Sequence, residues 1–349
     1  MSKHNRFVKF EKRPTGAPTQ DVFSVQSQPL RAIKDGEYLM RTAYLSMDPA
    51  LVGRMRDEDN YAEKVNPGEV MHAYGVSQVI ESNNPNVKVG EVRLGRVDMQ
   101  QYTISDDSEA FKKINLGLAD ATHYLGAVGI TGATAYFAMR DIGQAKAGET
   151  VLISAGASSV GSVAAQIAKL NNCRTVAIVS TDEKAKQAKI DWGYDEAISY
   201  RGKSIEQLSH DVQQACPNGI DVYFDNTSGD ISEAVMDHYN LNARVVVVGR
   251  MAISHLTDTR LDTGRRDSNI MLTKRVKRQG FVILDYQQRF KGAFIQLALW
   301  IKQGKLKSKE DIKQGIDSAP DAFFRMLEGK NNGKQLVKLA DIDHKLNPT

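Results

Sequence analysis

Between Val151 and Leu170 the chain reads VLISAGASSVGSVAAQIAKL, a set of residue types that can hold an anion. Val151, Leu152 and Ile153 favour a strand, Gly156 and Gly161 bracket a turn of small residues, and the alanine-rich run to Leu170 favours a helix. Such a corner can bind a pyrophosphate, because unpaired N–H groups of the first helical turn point at it and no bulky side chain obstructs it. The strict G-x-G-x-x-G spacing is absent. Ala155, Ser158 and Gly161 stand in a looser A-x-x-S-x-x-G arrangement, which equally describes an ordinary strand-to-helix corner. If the ligand is a dinucleotide, the end of the next strand, Val176 to Val179, decides its type. Asp182 there would accept from a free ribose, whereas Lys184 would neutralise an added 2′-phosphate, and the lysine favours NADP over NAD.

Other chemistries find less support. Two cysteines and seven histidines form no close ligand cluster, so no metal site is expected; His72, His123 and His255 are isolated. A G-x-S-x-G elbow is missing, and the size of Ser158 and Ser159 already suits them to the glycine turn.

The elements that would position the turn follow from hydrophobic pattern. Ile220 to Phe224 and Arg244 to Val248 read as further buried strands with helical patterns between them, which argues a parallel sheet covered on both faces. Upstream, Val8 to Phe10, Glu37 to Leu45, Met71 to Ile80, Val89 to Leu94 and Met99 to Ile104 read as short strands separated by Gly, Pro and Asn turns. Helical structure is expected to begin near Gly129-Ile130-Thr131-Gly132, where Ala133 to Met139 and the DIGQAKAGE segment lead into the central strand. Phe281-Val282-Ile283 reads as a core strand. Phe290, Phe294, Leu297 and Ile301 recur on one helical face as a core stripe. Ala322 to Glu328 reads as a helix, Gly329 to Gly333 as a turn, and Gln335 to Leu339 as a strand returning to the first domain.

At 349 residues the chain can bury a large core in two domains. A net charge of +4 is too small to argue nucleic-acid binding, and the basic cluster Arg265-Arg266, Lys274-Arg275 and Lys277-Arg278 reads as a solvated face. No apolar run is long enough to span a bilayer. A charged start without a secretory segment, and the sparse cysteines, make a cytoplasmic location the expectation.

Several short strings, in order, resemble a known family: Leu45-Ser46-Met47-Asp48-Pro49, Gly53-Arg54-Met55, Thr134-Ala135-Tyr136, the central turn, Asp225-Asn226, and Glu328-Gly329-Lys330-Asn331-Asn332-Gly333-Lys334. They resemble the zinc-independent medium-chain dehydrogenase/reductases that include curcumin, prostaglandin and leukotriene reductases and plant alkenal double-bond reductases. The resemblance implies an α/β fold in which a Rossmann nucleotide domain, residues 131–308, is inserted in a mostly β, GroES-like catalytic domain of residues 1–130 and 309–349. It implies a homodimer that uses NADPH to reduce the C=C bond of an enone or enal. Hydride reaches the β-carbon and a proton the α-carbon. NADPH-dependent quinone or carbonyl reduction, and a noncatalytic NADPH-binding regulator, remain as alternatives.

Carried over by position, the resemblance places the pyrophosphate against Ala155, Ser158, Ser159, Val160, Gly161 and Ser162. The 2′-phosphate falls near Lys184 and Tyr200, and other cofactor contacts at Thr134, Asn226, Gly249 and Asn331. Phe281 to Ile283 resembles the segment whose backbone fixes the nicotinamide carboxamide. Tyr61 resembles an active-site tyrosine beside the substrate loop, a candidate for orienting the carbonyl or assisting protonation; loop anchoring is the plainer role. Some relatives carry a tyrosine where this chain has Thr273. Other departures are Ala50 and Val52 in the D-P-Y-M-R-G-R-M string, Asp98-Met99 where Gly-Trp is common, and Ser158-Ser159 where Gly-Ala is frequent.

Overall fold

The computed structural model describes residues 3–57, 63–108, 111–256 and 258–346. Its backbone falls into two compact units, Met1–Leu125 with Glu310–Thr349, and Gly126–Lys309. In the first, β1 (His4–Phe10) pairs antiparallel with β2 (Phe23–Pro29), placing Val8 opposite Val25. β3 (Tyr38–Ser46) follows; α1 (Leu51–Arg54) is a single turn closed by bonds from Leu51 N to Asp48 O and Val52 N to Pro49 O. Next come β4 (Tyr74–Ser82), β5 (Val92–Arg96), β6 (Tyr102–Ser105), β7 (Lys112–Lys113) and α2 (Ala121–Leu125).

The second unit continues with α3 (Ile130–Phe137), β8 (Thr150–Ser154), α4 (Ser159–Leu170), β9 (Arg174–Val179), α5 (Asp182–Trp192) and β10 (Glu196–Ser199). It is completed by α6 (Ile205–Ala215), β11 (Ile220–Asp225), α7 (Gly229–Val235), β12 (Tyr239–Val247), α8 (Ser268–Lys274), β13 (Lys277–Gly280) and α9 (Phe290–Lys302). Its six strands lie in the order β10-β9-β8-β11-β12-β13, all parallel. This is the doubly wound Rossmann order, whose crevice opens where the chain reverses direction beside the first strand. β8 is buried at every position, as a central parallel strand covered on both faces must be.

The chain then returns to the first unit as β14 (Glu310–Gln314), α10 (Ala319–Leu327) and β15 (Lys334–Lys338). β15 pairs antiparallel with the end of β3, Leu336 opposite Ser46, while β6 takes the start of β3 and β4 covers its other edge. Tyr38, Met40, Leu45, Met55, Phe323 and Val337 meet in one buried core. This mostly β unit is the GroES-like part of the fold.

Two expectations change. Phe281-Val282-Ile283 is not a strand; the strand is the preceding Lys277–Gly280, exposed throughout and paired to Arg244–Val247. An edge strand needs no apolar residues to be held, since its hydrogen bonds to β12 suffice, so hydrophobic pattern pointed one segment too late. Phe281 instead is buried and stacked against Tyr286, which stacks in turn on Phe137. Helical structure begins earlier, with the single turn α1 and then α2. Beyond Phe137 the helix widens into a π-turn, Ala138–Gly143, ending at Gln144 with φ 44°. The Arg244 guanidinium draws the Gly143 carbonyl to Nε at 2.9 Å and the Gln144 carbonyl to Nη2 at 3.3 Å, contacts that local pattern does not encode. The α9 stripe is a core stripe: Phe290 and Leu297 are buried, with Phe294 and Ile301 packed beside them. Among the described residues no helix is long and apolar enough to cross a membrane.

Candidate functional site

Most of the nucleotide candidates lie just past the C-terminal ends of the parallel strands: Ala155 after β8, Lys184 after β9, Tyr200 after β10, Asn226 after β11, Gly249 after β12 and Phe281 after β13. That edge is where open α/β sheets bind their ligands, because successive loops diverge there.

The turn between β8 and α4 is tight enough to require its glycines. A Cβ on Gly161 would lie 2.6 Å from Ala155 O, and one on Gly156 would lie 2.7 Å from the Ala177 Cβ. Counted back from Gly161 the turn reads G-x-S-x-x-G. Ser158 replaces the middle glycine without strain because its backbone is extended, φ −74° and ψ 167°, and its Oγ caps α4 by accepting from Gly161 N at 3.1 Å. Ala155 takes the left-handed conformation, φ 48°, which costs about 1 kcal/mol for a residue bearing a Cβ. Ser158, Ser159 and Val160 are half-buried, whereas Ser162 is buried.

Tyr194 braces this turn from beneath. Its hydroxyl lies 2.9 Å from Gly156 O and 3.1 Å from Gly161 O and donates to them, and the residue is only 3% exposed. Burial pushes the phenol well above its ordinary value, so the proton that makes this contact is kept. No sequence signal singled out Tyr194, because its partners lie more than thirty residues upstream.

Asn226 and Gly249 meet directly. A Cβ on Gly249 would sit 2.7 Å from Asn226 O, so this approach also demands glycine. Asn226 donates to the end of β8, Nδ2 to Ser154 O at 2.7 Å and N to Ser154 Oγ at 2.9 Å. Beneath it, the fully buried Asp225 carboxylate accepts from Thr227 N at 3.0 Å, Ser228 N at 2.8 Å, Ser232 Oγ at 2.8 Å and the Tyr223 hydroxyl at 3.2 Å. These donors hold Ser228 at φ 58° and ψ −162°, a conformation that only glycine adopts at low cost. An acid at the end of the apolar run Val222-Tyr223-Phe224 was the available sequence signal for this anchor.

Thr134 is buried on α3 with its hydroxyl donated to Ile130 O at 2.9 Å. Phe281 donates its backbone N–H to Val247 O at 2.9 Å, and Ile283 packs against the core. Thr273 lies on exposed α8 with its hydroxyl bonded to Asn269 O at 2.7 Å.

In the other unit, Asn331 donates Nδ2 to Gly333 O at 2.7 Å in the turn before β15. The next residue, Lys334, is 3% exposed and donates to the Asp48 carboxylate and to Met47 O at 3.3 Å, while Ser46 donates to the other Asp48 oxygen. The two signature strings around Asp48 and Asn331 are thus locked to each other. His72 is buried beside Arg54, Nη1 to Nδ1 at 3.5 Å; burial first, then the charges of Arg96 and Arg54, push its imidazole down to about 4. It is neutral at physiological pH. Tyr61 lies outside the described residues. Among the described residues no group of three or more His, Cys, Asp or Glu side chains is placed to hold a metal ion. Arg265 pairs with Asp237 and Arg278 with Asp267 on the surface, so part of the basic cluster is already neutralised.

Two families match in sequence, the N-terminal domain of oxidoreductase over residues 6–113 and the zinc-binding dehydrogenase domain over residues 159–300. The chain is 34% identical to the NADPH-dependent curcumin reductase of Escherichia coli, over 98% of this chain and 99% of that protein. It is 31% identical to the NADP(+)-dependent 2-alkenal reductase of Nicotiana tabacum, over 96% of this chain and 98% of that one. Among solved structures, CurA from Vibrio vulnificus in complex with NADPH superposes with a TM-score of 0.88 at 37% identity, covering 96% of this chain and 99% of that one. With this fold and likeness along nearly its whole length, the chain belongs to the zinc-independent medium-chain dehydrogenase/reductases, alongside the curcumin, prostaglandin and 2-alkenal reductases.

Proposed function

We propose that the protein uses NADPH to reduce the C=C bond of α,β-unsaturated ketones or aldehydes. The observation that carries the reading is the glycine-dependent turn Ala155–Gly161 at the edge of the Rossmann sheet, in a chain related along nearly all its length to curcumin and 2-alkenal reductases. Bound there, NADPH supplies the hydride taken up at the β-carbon. The first-turn N–H groups of α4 and the hydroxyls of Ser158 and Ser159 hold the pyrophosphate, with Val160, Gly161 and Ser162 shaping the helix start. Lys184 and Tyr200 take the 2′-phosphate. Peptide groups of Phe281 and Ile283 orient the carboxamide, and Thr134, Asn226, Gly249 and Asn331 complete the cofactor contacts. As negative charge develops on the carbonyl oxygen, the Tyr61 hydroxyl donates to it, and the α-carbon takes its proton from that phenol or from water. Cys173 and Cys216 take no part: burial pushes their thiols up to about 11 and about 12, so neither offers a thiolate.

Oxidation of NADPH, with NADH in parallel, against linear enals, aryl enones and quinones tests the reading when products are identified by mass. NADPH-selective formation of saturated carbonyls is expected; products reduced only at C=O or at a quinone would replace the proposal with the corresponding reductase. Binding without turnover across the panel would indicate a nucleotide-sensing role. In the same assay Tyr61→Phe should lower kcat by about 100-fold, the scale of a lost general acid, while the NADPH dissociation constant stays put. An unchanged kcat removes Tyr61 from the chemistry.

We infer further that the protein is a cytoplasmic homodimer. Two free, buried cysteines fit a reducing compartment. Edge strand β13 is exposed, and Leu261 and Leu272 of the same unit are 60% and 76% exposed, features that a second copy would cover. Cell fractionation checks the first inference, and a light-scattering mass near one 38.6 kDa chain would overturn the second.

A further inference from the structure

We propose that Ser199 selects the 2′-phosphorylated nucleotide by occupying the carboxylate of Asp182. The inference rests on the NADPH reading above and concerns how that site rejects NADH. Asp182 lies 21 residues beyond Gly161, at the start of α5 just past β9. From that position an acidic side chain of a dinucleotide fold takes the ribose hydroxyls and repels a 2′-phosphate. Left unengaged, Asp182 would therefore favour the wrong cofactor.

The structure engages it. Ser199 is the last residue of β10, 5% exposed, and its hydroxyl donates to Asp182 Oδ1. Strand register makes the contact: Ser199 stands opposite Val179, the last residue of β9, and Tyr200 N bonds Val179 O at 3.0 Å. Recognition of two vicinal hydroxyls uses both oxygens of a carboxylate, and an oxygen already accepting a charge-assisted bond is a weaker second acceptor. Asp182 thereby offers a ligand one open oxygen and one that already carries a hydrogen bond. The same geometry keeps the groups suited to phosphate close by. Thr181 caps α5 by accepting from Lys184 N at 3.3 Å, which holds Lys184 in the first helical turn, and Tyr200 follows Ser199 directly. Ser199 is a positioning residue that acts through Asp182 and requires no ligand contact of its own.

Calorimetric titration of the purified full chain with NADP+ and NAD+ tests this without turnover, using wild type, Ser199→Ala, Ser199→Thr, Asp182→Asn and the Ser199→Ala/Asp182→Asn pair. Ser199→Ala should lower the NADP+ to NAD+ affinity ratio about tenfold, mainly by tightening NAD+, since a hydrogen bond to a charged group is worth about that much. Ser199→Thr, which keeps the hydroxyl, should retain the wild-type ratio, and the double variant should lose the shift because no carboxylate remains to be released. A ratio unchanged within about twofold in Ser199→Ala, or the same shift in the double variant, overturns the proposal. A wild type that does not prefer NADP+ defeats the underlying cofactor reading instead, and the two failures are distinct.

Discussion

Gly161→Ala is expected to weaken NADPH binding by about 10- to 100-fold, with the KM for the unsaturated acceptor changed much less. The added Cβ would meet Ala155 O at 2.6 Å, Gly156 Cα at 2.9 Å and Gly156 O at 3.0 Å. All three are backbone atoms, so no side chain can swing away, and relief must come from moving the turn. Moving it also disturbs both anchors of that turn, the Ser158 cap on Gly161 N and the Tyr194 hydroxyl on Gly161 O. Overpacking of this kind costs about 1–3 kcal/mol, which becomes roughly one to two decades of affinity if the strain is felt in the bound state. Fluorescence titration with NADPH reads the loss directly. A dissociation constant equal to that of wild type would mean the pyrophosphate does not lie against this turn.

Lys334→Met is expected to lower the free energy of unfolding by about 2–4 kcal/mol. Removing one member of a buried ion pair costs roughly 3–5 kcal/mol because the other charge stays behind without a partner. Here the Asp48 side chain remains 33% exposed, against 3% for Lys334, and water recovers part of the loss. Because Asp48 begins the turn into α1 and Lys334 follows the Asn331 turn, both signature segments should loosen together. Urea unfolding gives the midpoint, and Asp48→Asn in the same background should recover stability, since it removes the stranded charge. Additive losses in the double variant would show that the two residues do not act as a pair.

Some elements were legible because their residues repeat a local pattern. Val151 to Ile153, Val176 to Val179 and Val222 to Phe224 are buried on both faces, so each shows a continuous apolar run. The α9 stripe has the period of a helix packed on one side. β13 carries Lys, Arg, Gln and Gly and has no such pattern; pairing with β12 alone makes it a strand. The glycine turn was visible as composition, whereas the reason Ser158 fits it, an extended backbone capping α4, is a property of conformation.

The central strands of the parallel sheet, the small-residue turn, and the lysine and acid after β9 were determined by the amino-acid sequence alone, since short-range propensity and burial pattern are written in neighbouring residues. Tertiary structure decided which of those residues are already spent. Asp182 is engaged by Ser199, the glycine turn is braced by Tyr194 from 38 residues further along, and Asp48 is paired with Lys334 from 286 residues away. Hydrogen bonds and ion pairs of buried polar groups depend on positions in space, and only the folded chain brings such distant partners within reach.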